Sequence, residues 1–483
     1  MLAAGVRLLG LTREAFWVDE VSTFNLTGHP GLASLKVFAE DVHPFAYYWG
    51  LAQWRAALGA SEYVIRGYSV VWSLVGILAT LGFACEVGRH RKVALWAVCL
   101  AAVSPLSVYF AQEARMYAQA SALVAFSSWA LLAWLNRVEE GRRTAGWAIL
   151  YVVSVAALLL THYVGVVIAL AQGMAVIAVC VIRRDLRFLL GYSAGAVAVA
   201  LLFLPWLWFV HTLRPSLYRA SSLAWMPSPG WRDIWLMMTR DLVWGRPGWE
   251  GAEWIVPQGV SVLLLAVVLW VLWSGRSRVD GAPRWALLPR GQSFAIWMVV
   301  GPVLVALAIS RLYHPVLWYP RFSILVLPPA IVLAACAIDT VRRRAGGAVL
   351  PAALVIIAII GLGVQYRALT KAGMRNFAWF WQTEGPPDVV CFFPDWKRTA
   401  ARYQVGPSLP RRYRQRLERR LKGRGPFTLW VCSTGNYDSI IRPERERAER
   451  NRVLSLGIRR DLGSVDRLKI VEVRVAPRTT AGK

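Results

Sequence analysis

Two apolar runs separated by two polar residues decide how this chain is read: AGWAILYVVSVAALLLT (145–161), then His162-Tyr163, then VGVVIALAQGMAVIAVCVI (164–182). Each is about as long as a helix that crosses the hydrocarbon core of a bilayer. A soluble core has no need of uninterrupted runs of this length, still less of two in succession. Working outward, runs of the same kind recur at about 63–84, 93–111, 118–135, 188–210, 255–273, 293–312, 323–341 and 347–366. The expected fold is mainly α: a polytopic transmembrane helix bundle of about 10–11 spans.

Composition agrees. Of 483 residues, 57% are hydrophobic, 25 are Trp and 17% are charged, against about 25% charged in an ordinary soluble protein. The net charge of +27 would suggest nucleic acid in a soluble chain. Here much of it sits in short connections between apolar runs, where membrane orientation explains it, so the bilayer is expected as a partner and nucleic acid is not. Cys85, Cys99, Cys180 and Cys336 fall inside apolar runs, and no Cys/His spacing suggests zinc. Cys391 and Cys432 lie in the tail, where pairing would require an oxidising compartment.

The connections alternate in character. One set is basic: Arg89/Arg91/Lys92, Arg137/Arg142/Arg143, Arg183/Arg184/Arg187, Arg276/Arg278/Arg284/Arg290 and Arg342/Arg343/Arg344. The positive-inside bias makes these cytoplasmic. The other set, Gln112 to Tyr117, Thr161 to Tyr163, 211–254 and Arg311 to Phe322, then lies outside together with residues 17–62. Residues 1–16 carry Arg7, Arg13 and Glu14 and are too short to span. Pro30 to Glu40 and Pro44 to Leu58 read as helices lying in the interface plane. The division expected is a transmembrane domain over 1–366 and a small outer-face α/β domain over 367–483. The strands of that domain are read at Asp388–Phe393, Phe427–Val431 and Leu468–Val475.

The outer connections also collect the chemistry: Asp19, Glu20, Asp41, His43, Gln112, Glu113, Arg115, Tyr117, His162, Tyr163, His211, Arg311, His314, Tyr319 and Arg321. A transporter keeps ionisable groups or broken helices near the midplane. Polar groups gathered at one interface instead suit an enzyme acting on a lipid head group, with a non-catalytic polyprenyl-phosphate transporter or flippase as the alternative. Asp19-Glu20 is flanked by Phe16 and Trp17. It is either a solvated helix-end pair or a carboxylate made more basic by burial beside aromatics. Asp41-Val42-His43-Pro44 either caps the next helix or supplies a second acid that orients an acceptor or binds a metal. If Gln112 to Tyr117 opens a helix, Gln112 and Arg115 share one face, and Glu113 and Tyr117 another. Arg115 suits bidentate phosphate binding, or it pairs with Glu113 and snorkels. Arg321 opens a span, as a phosphate ligand or as an anchor. Trp206, Trp225, Trp231, Trp235, Trp244, Trp249 and Trp254 read mostly as aromatic-belt anchors, a few stacking on a sugar.

Several stretches taken in order resemble the GT-C superfamily of polytopic glycosyltransferases, nearest its bacterial protein mannosyltransferase and aminoarabinose-transferase members. They are Trp17-Val18-Asp19-Glu20 with Ser22, Asp41-Val42-His43-Pro44 with Tyr47-Tyr48, Ser104-Pro105…Tyr109…Gln112-Glu113-Ala114-Arg115-Met116-Tyr117, and Arg321-Phe322…Pro328-Pro329. The resemblance implies transfer of a sugar from a polyprenyl-phosphate donor to a glycan, lipid or protein acceptor, at the outer face of the plasma (inner) membrane. It implies Asp19 as general base, with Glu20 and Asp41 as supporting acids. Arg115 and Arg321, with Tyr117 and Gln112, would hold the donor phosphate as charge develops on it, and His43, Glu113, His162 and Tyr163 would support them. Some relatives bind a divalent metal, for which Asp41, Glu113 and His162 are the candidate ligands. No nucleotide cofactor is expected, since the donor is lipid-linked. Two departures stand out: residues 1–16 are short for the first span of such a protein, and Phe45 stands where a second proline is common.

Overall fold

The structure, a computed structural model, describes residues 1–213, 228–245, 254–274, 290–313, 315–317, 319–345 and 349–367, and from the tail 381–384, 387–393, 401, 413–422, 426–433, 450–456, 458–465 and 468–476. The chain forms two compact units. One comprises Met1–Leu11 with Leu26–Thr370, the other Thr12–Asn25 with Lys371–Lys483. The segment bearing Asp19 and Glu20 groups with the tail.

In the first unit every one of the ten apolar runs coincides with a helix or, at 93–111, with a bent pair. After α1 (Leu2–Leu8) and α2 (Val18–Leu26, largely in the other unit) come two short helices, α3 (Ser34–Phe38) and α4 (Ala46–Leu58). Then follow α5 (Glu62–Gly88), α6 (Arg91–Val103), α7 (Pro105–Ala111), α8 (Tyr117–Glu139), α9 (Ala145–Thr161), α10 (Gly165–Arg183) and α11 (Leu186–Leu213). Next come α12 (Trp231–Leu236), a π turn at Met237–Asp241, α13 (Leu242–Trp244), α14 (Ile255–Ser274), α15 (Arg290–Leu312), α16 (Tyr319–Ala345) and α17 (Val349–Arg367). Six described helices are long and apolar enough to cross a membrane, or up to seven if α6 and α7, bent by 55°, count as one span; α9 and parts of α14 and α17 are shorter apolar helices. This is a multi-pass membrane protein.

The centre of the bundle is α8, nearly all of it buried, packed on α5, α9 and α16. Small residues let the helices approach closely: a Cβ added at Gly76 would lie 3.3 Å from the Cα of Ala122 on α8, and one at Gly291 would lie 2.6 Å from the Cα of Val87 on α5. By contrast α11 presents Leu190, Val197, Leu201, Leu202, Leu204 and Trp208 outward, a stripe suited to lipid. Among the described residues, the basic connections after α5, α8 and α10 meet at one end of the bundle, where Arg137 makes a bidentate pair with Glu86 at 2.8 and 3.0 Å and Arg183 pairs with Glu139.

The break between α6 and α7 follows from Pro105, which has no N–H for the carbonyl of Ala101 four residues earlier. Arg7, fully buried, supplies the missing donors. Its Nη2 donates to the Ala101 carbonyl at 3.0 Å and to Ser107 Oγ at 2.9 Å, its Nη1 to the carbonyls of Ala102 and Ala3 at 2.8 and 2.9 Å, and its Nε to Ser73 Oγ at 2.8 Å. All five guanidinium donors are used. The short N-terminal helix thus positions a plug for the broken span.

The second unit holds a four-stranded sheet in the order β1-β2-β4-β3: β1 (Val389–Phe393), β2 (Phe427–Ser433), β3 (Ile458–Val465) and β4 (Leu468–Val475). β1 and β2 run parallel, with helix α18 (Tyr413–Lys422) in the connection, and the remaining pairings are antiparallel. β1 is continuously apolar, and β2 is broken only by Thr428 and Ser433, because both sheet faces are covered. Val390, Phe392, Trp430, Cys432 and Ile470 pack with Trp381 on one side, and Val389, Cys391, Leu429, Val431 and Val473 pack with Leu417 of α18 on the other. Cys391 and Cys432 therefore belong to opposite cores. β3 escapes a reading based on β-propensity because it carries Arg459, Arg460 and Asp461. It is an edge strand, with a register shift between Asp461 and Gly463, and outward charge protects such an edge.

Candidate active site

In the first unit the polar residues of four connections converge at the end of the bundle away from the described basic connections. Asp41 Oδ1 accepts the backbone N–H of His43 at 3.0 Å and the Tyr48 hydroxyl at 3.1 Å. That hydroxyl accepts Nη1 of Arg115 at 3.2 Å. The result is a chain Arg115→Tyr48→Asp41 linking a buried guanidinium to a carboxylate through a buried phenol. Neither Asp41 nor His43 caps α4, whose first turn has no side-chain cap; Asp41 instead closes a local turn. Burial pushes the Tyr48 hydroxyl well above its ordinary value, with Arg115 opposing and Asp41 reinforcing the rise. It stays protonated, as its donation to Asp41 requires.

Arg115 is set by a turn rather than a helix. Its N–H donates to the Glu113 carbonyl at 2.7 Å, and α8 begins only at Tyr117. The helical facing expected for Gln112 with Arg115 and for Glu113 with Tyr117 therefore does not arise: α7 ends at Ala111 and residues 112–116 lie between the two helices. Behind it, Ser69 Oγ on α5 donates to the Arg115 carbonyl at 3.4 Å and lies 2.9 Å from the Tyr47 hydroxyl. Gln112 points elsewhere. Its amide donates to the carbonyls of Arg7 and Leu9 at 3.0 and 2.8 Å, closing the end of α1.

The second half of the cluster is aromatic. His43 and His162 lie with ring centroids 4.9 Å apart, and Tyr117 lies 5.9 Å from His162. The Arg321 guanidinium sits over the Tyr117 ring, 5.5 Å from its centroid. His162 Nδ1 accepts the Val164 N–H at 3.1 Å, so the neutral ring carries its proton on Nε2. Burial, then the Arg115 and Arg321 charges, lower His162 to about 3. Burial, His162 and the same two arginines lower His43 well below its ordinary value. Both imidazoles are neutral, and the positive charge of the cluster belongs to the two guanidiniums. Alongside, the Tyr163 hydroxyl accepts Trp206 Nε1 at 3.2 Å, and Phe45 packs on Trp206 at 4.8 Å.

The structure thus brings together Asp41, His43, Arg115, Tyr117, His162 and Arg321, and adds Tyr48, which motif reading left without a role. Its signal was its place seven residues after Asp41, on the buried side of α4. Glu113 is buried in the Arg115 turn. Among the described residues no three His, Cys, Asp or Glu side chains gather as a metal site, so Asp41, Glu113 and His162 do not form one ligand set. Of the other outer residues, His211 is exposed at the end of α11 and Arg311 donates to the Pro229 carbonyl at 3.3 Å. His314 and the Tyr319 side chain lie outside the described residues, as do Trp225 and Trp249.

In the second unit, Asp19 and Glu20 occupy the first turn of α2, where the helix dipole favours acids. Glu20 is fully buried, and its Oε2 accepts the Trp17 N–H at 3.4 Å, the return half of a capping box. Asp19 is half-buried. Between the aromatic start and the acids, Val18 packs against the sheet core of Trp381, Phe392 and Trp430. Glu20, at position three of the helix, turns back to the backbone of its first turn.

No family model and no curated protein matches the chain. Among solved structures it is similar to ArnT from Cupriavidus metallidurans bound to undecaprenyl phosphate, with a TM-score of 0.58 and 14% identity over 97% of this chain and 96% of that one. It also matches the Archaeoglobus fulgidus oligosaccharyltransferase in complex with Zn and sulfate, with a TM-score of 0.46 and 12% identity over 91% of this chain and 68% of that one. The fold of this chain is therefore the one that the GT-C resemblance implies, a polytopic helix bundle with a small α/β unit, and it is shared with ArnT over nearly the full length of both proteins.

Proposed function

We propose that this chain is a membrane glycosyltransferase that moves a sugar from a polyprenyl-phosphate donor to a glycan, lipid or protein acceptor at the outer face of the plasma membrane. The observation that carries the reading is the convergence of Arg115 and Arg321 beside two neutral histidines, at one end of a bundle with the ArnT fold. A phosphate is the anion that two guanidiniums suit. The ArnT structure is described as bound to undecaprenyl phosphate, which supports a lipid phosphate as the ligand here.

In this reading the acceptor nucleophile attacks the anomeric carbon as its proton passes to Asp19. The bond between that carbon and the phosphate oxygen breaks, and the electron pair stays on the oxygen. The departing polyprenyl phosphate gains one negative charge, and Arg115 and Arg321 stabilise it most at that moment. Tyr48 holds Arg115 from behind and ties it to Asp41. Neutral His43 and His162 add bulk and hydrogen-bonding capacity and leave the positive charge of the site to the two arginines. Glu20, engaged at the helix start, keeps Asp19 in place. Gln112, engaged with α1, has a structural role rather than a phosphate-binding one.

The test is sugar transfer by full-length protein in vesicles. Asp19→Asn should abolish transfer, with a fall of about 10²–10⁴-fold in rate, while donor binding persists. Normal turnover in Asp19→Asn would remove Asp19 from the mechanism. Lipid movement across the vesicle without any transfer would favour a flippase.

A further inference from the structure

The segment 228–245 lay in a connection read only for its tryptophans, yet it contains a buried carboxylate. Asp241 closes the π turn Met237–Asp241 and is fully buried; single π turns concentrate at functional positions. Its Oδ2 accepts the hydroxyl of Ser323 at 3.0 Å, and its Oδ1 accepts Nε of Arg240 at 3.0 Å. Ser323 is itself fully buried, in the opening turns of α16, two residues after Arg321. The same segment is tied down on all sides. Arg311, in the last turn of α15, donates to the Pro229 carbonyl at 3.3 Å. Trp244 Nε1 donates to Ser261 Oγ on α14 at 2.7 Å. Gly245, at φ 72°, lies so close to α7 that an added Cβ would be 2.8 Å from Pro105 Cβ. One short segment thus braces both sides of the α15–α16 connection.

From this we infer that Asp241 is a positioning residue for donor binding: through Ser323 it fixes the first turns of α16, and with them the Arg321 guanidinium. The inference rests on the phosphate-binding role of Arg321 proposed above. A buried carboxylate is costly unless hydrogen-bonded, so the Asp241–Ser323 contact has two states, made or broken, rather than a gradual range. A guanidinium that must meet an anion within hydrogen-bond distance is sensitive to that choice.

The experiment measures binding of undecaprenyl phosphate to purified full-length protein in detergent, alongside thermal unfolding. Asp241→Asn and Ser323→Ala should each weaken binding about ten-fold or more, and Ser323→Thr, which keeps the hydroxyl, should restore it to within about three-fold of wild type. Variants that unfold more readily but bind undecaprenyl phosphate as wild type does would overturn the inference, since that is the signature of a purely structural brace. Ser323→Ala alone decides the matter if Asp241→Asn does not fold. Wild-type protein that fails to bind undecaprenyl phosphate overturns the phosphate-site reading itself, which is a distinguishable failure.

Discussion

His162 illustrates how the site sets the chemistry of single residues. Its lowered value of about 3 has burial as first cause and the Arg115 and Arg321 charges as the next. The sign of the consequence follows. As pH falls through about 6.5 the imidazole of the unfolded chain takes up a proton, while the folded one stays neutral until near 3. The stabilisation is complete above the upper value and is lost progressively below it. Wild-type protein should therefore show a drop in thermal midpoint between pH 7 and pH 5 that is shallower in His162→Gln; equal slopes would contradict the assignment. Little of this was legible in the sequence. Motif order singled out His43, Arg115, His162 and Arg321, which the structure brings into one cluster. What each touches was not readable: the Tyr48–Arg115 contact joins residues 67 apart, and Asp241–Ser323 joins residues 82 apart. The partners of Glu20 and Gln112 were equally unreadable. A local backbone partner within capping distance, or an unfilled helix end 103 residues away, claims a polar side chain before a substrate does.

At the scale of elements, the ten apolar runs were read to within a few residues because hydropathy is local and additive along a span. The exceptions are where backbone hydrogen bonding is interrupted. Ser104-Pro105 breaks one span, and the break is held by Arg7 from α1. Arg7→Lys puts this to the test. An ammonium cannot reach the five acceptors that the planar guanidinium meets, and each buried group left without a partner costs about 1–3 kcal/mol. Arg7→Lys should lower the thermal midpoint more than Ser61→Ala, which removes the exposed α5 cap at about 1 kcal/mol. An Arg7→Lys protein as stable as wild type would show that the break needs no plug. β3 was missed for the opposite reason: an edge strand with charges facing water has no hydrophobic period to detect.

For the whole molecule, sequence order and structural grouping part company at residues 12–25. Hydropathy placed the acidic pair with the membrane bundle, whereas Val18 packs on a sheet built from residues nearly 400 positions later. Nothing local in Trp17-Val18-Asp19-Glu20 signals that partner. A single measurement nonetheless reaches the proposal that the cluster of Arg115 and Arg321 is a lipid-phosphate site. That measurement is the affinity of purified full-length protein for undecaprenyl phosphate, compared with Arg115→Ala and Arg321→Ala. Loss of a charge-assisted contact to the phosphate is worth about 1.5–3 kcal/mol, so each variant should bind roughly ten- to a hundred-fold more weakly while binding of the acceptor is unchanged. Wild-type affinity in both variants, or equal loss for donor and acceptor, would contradict the claim.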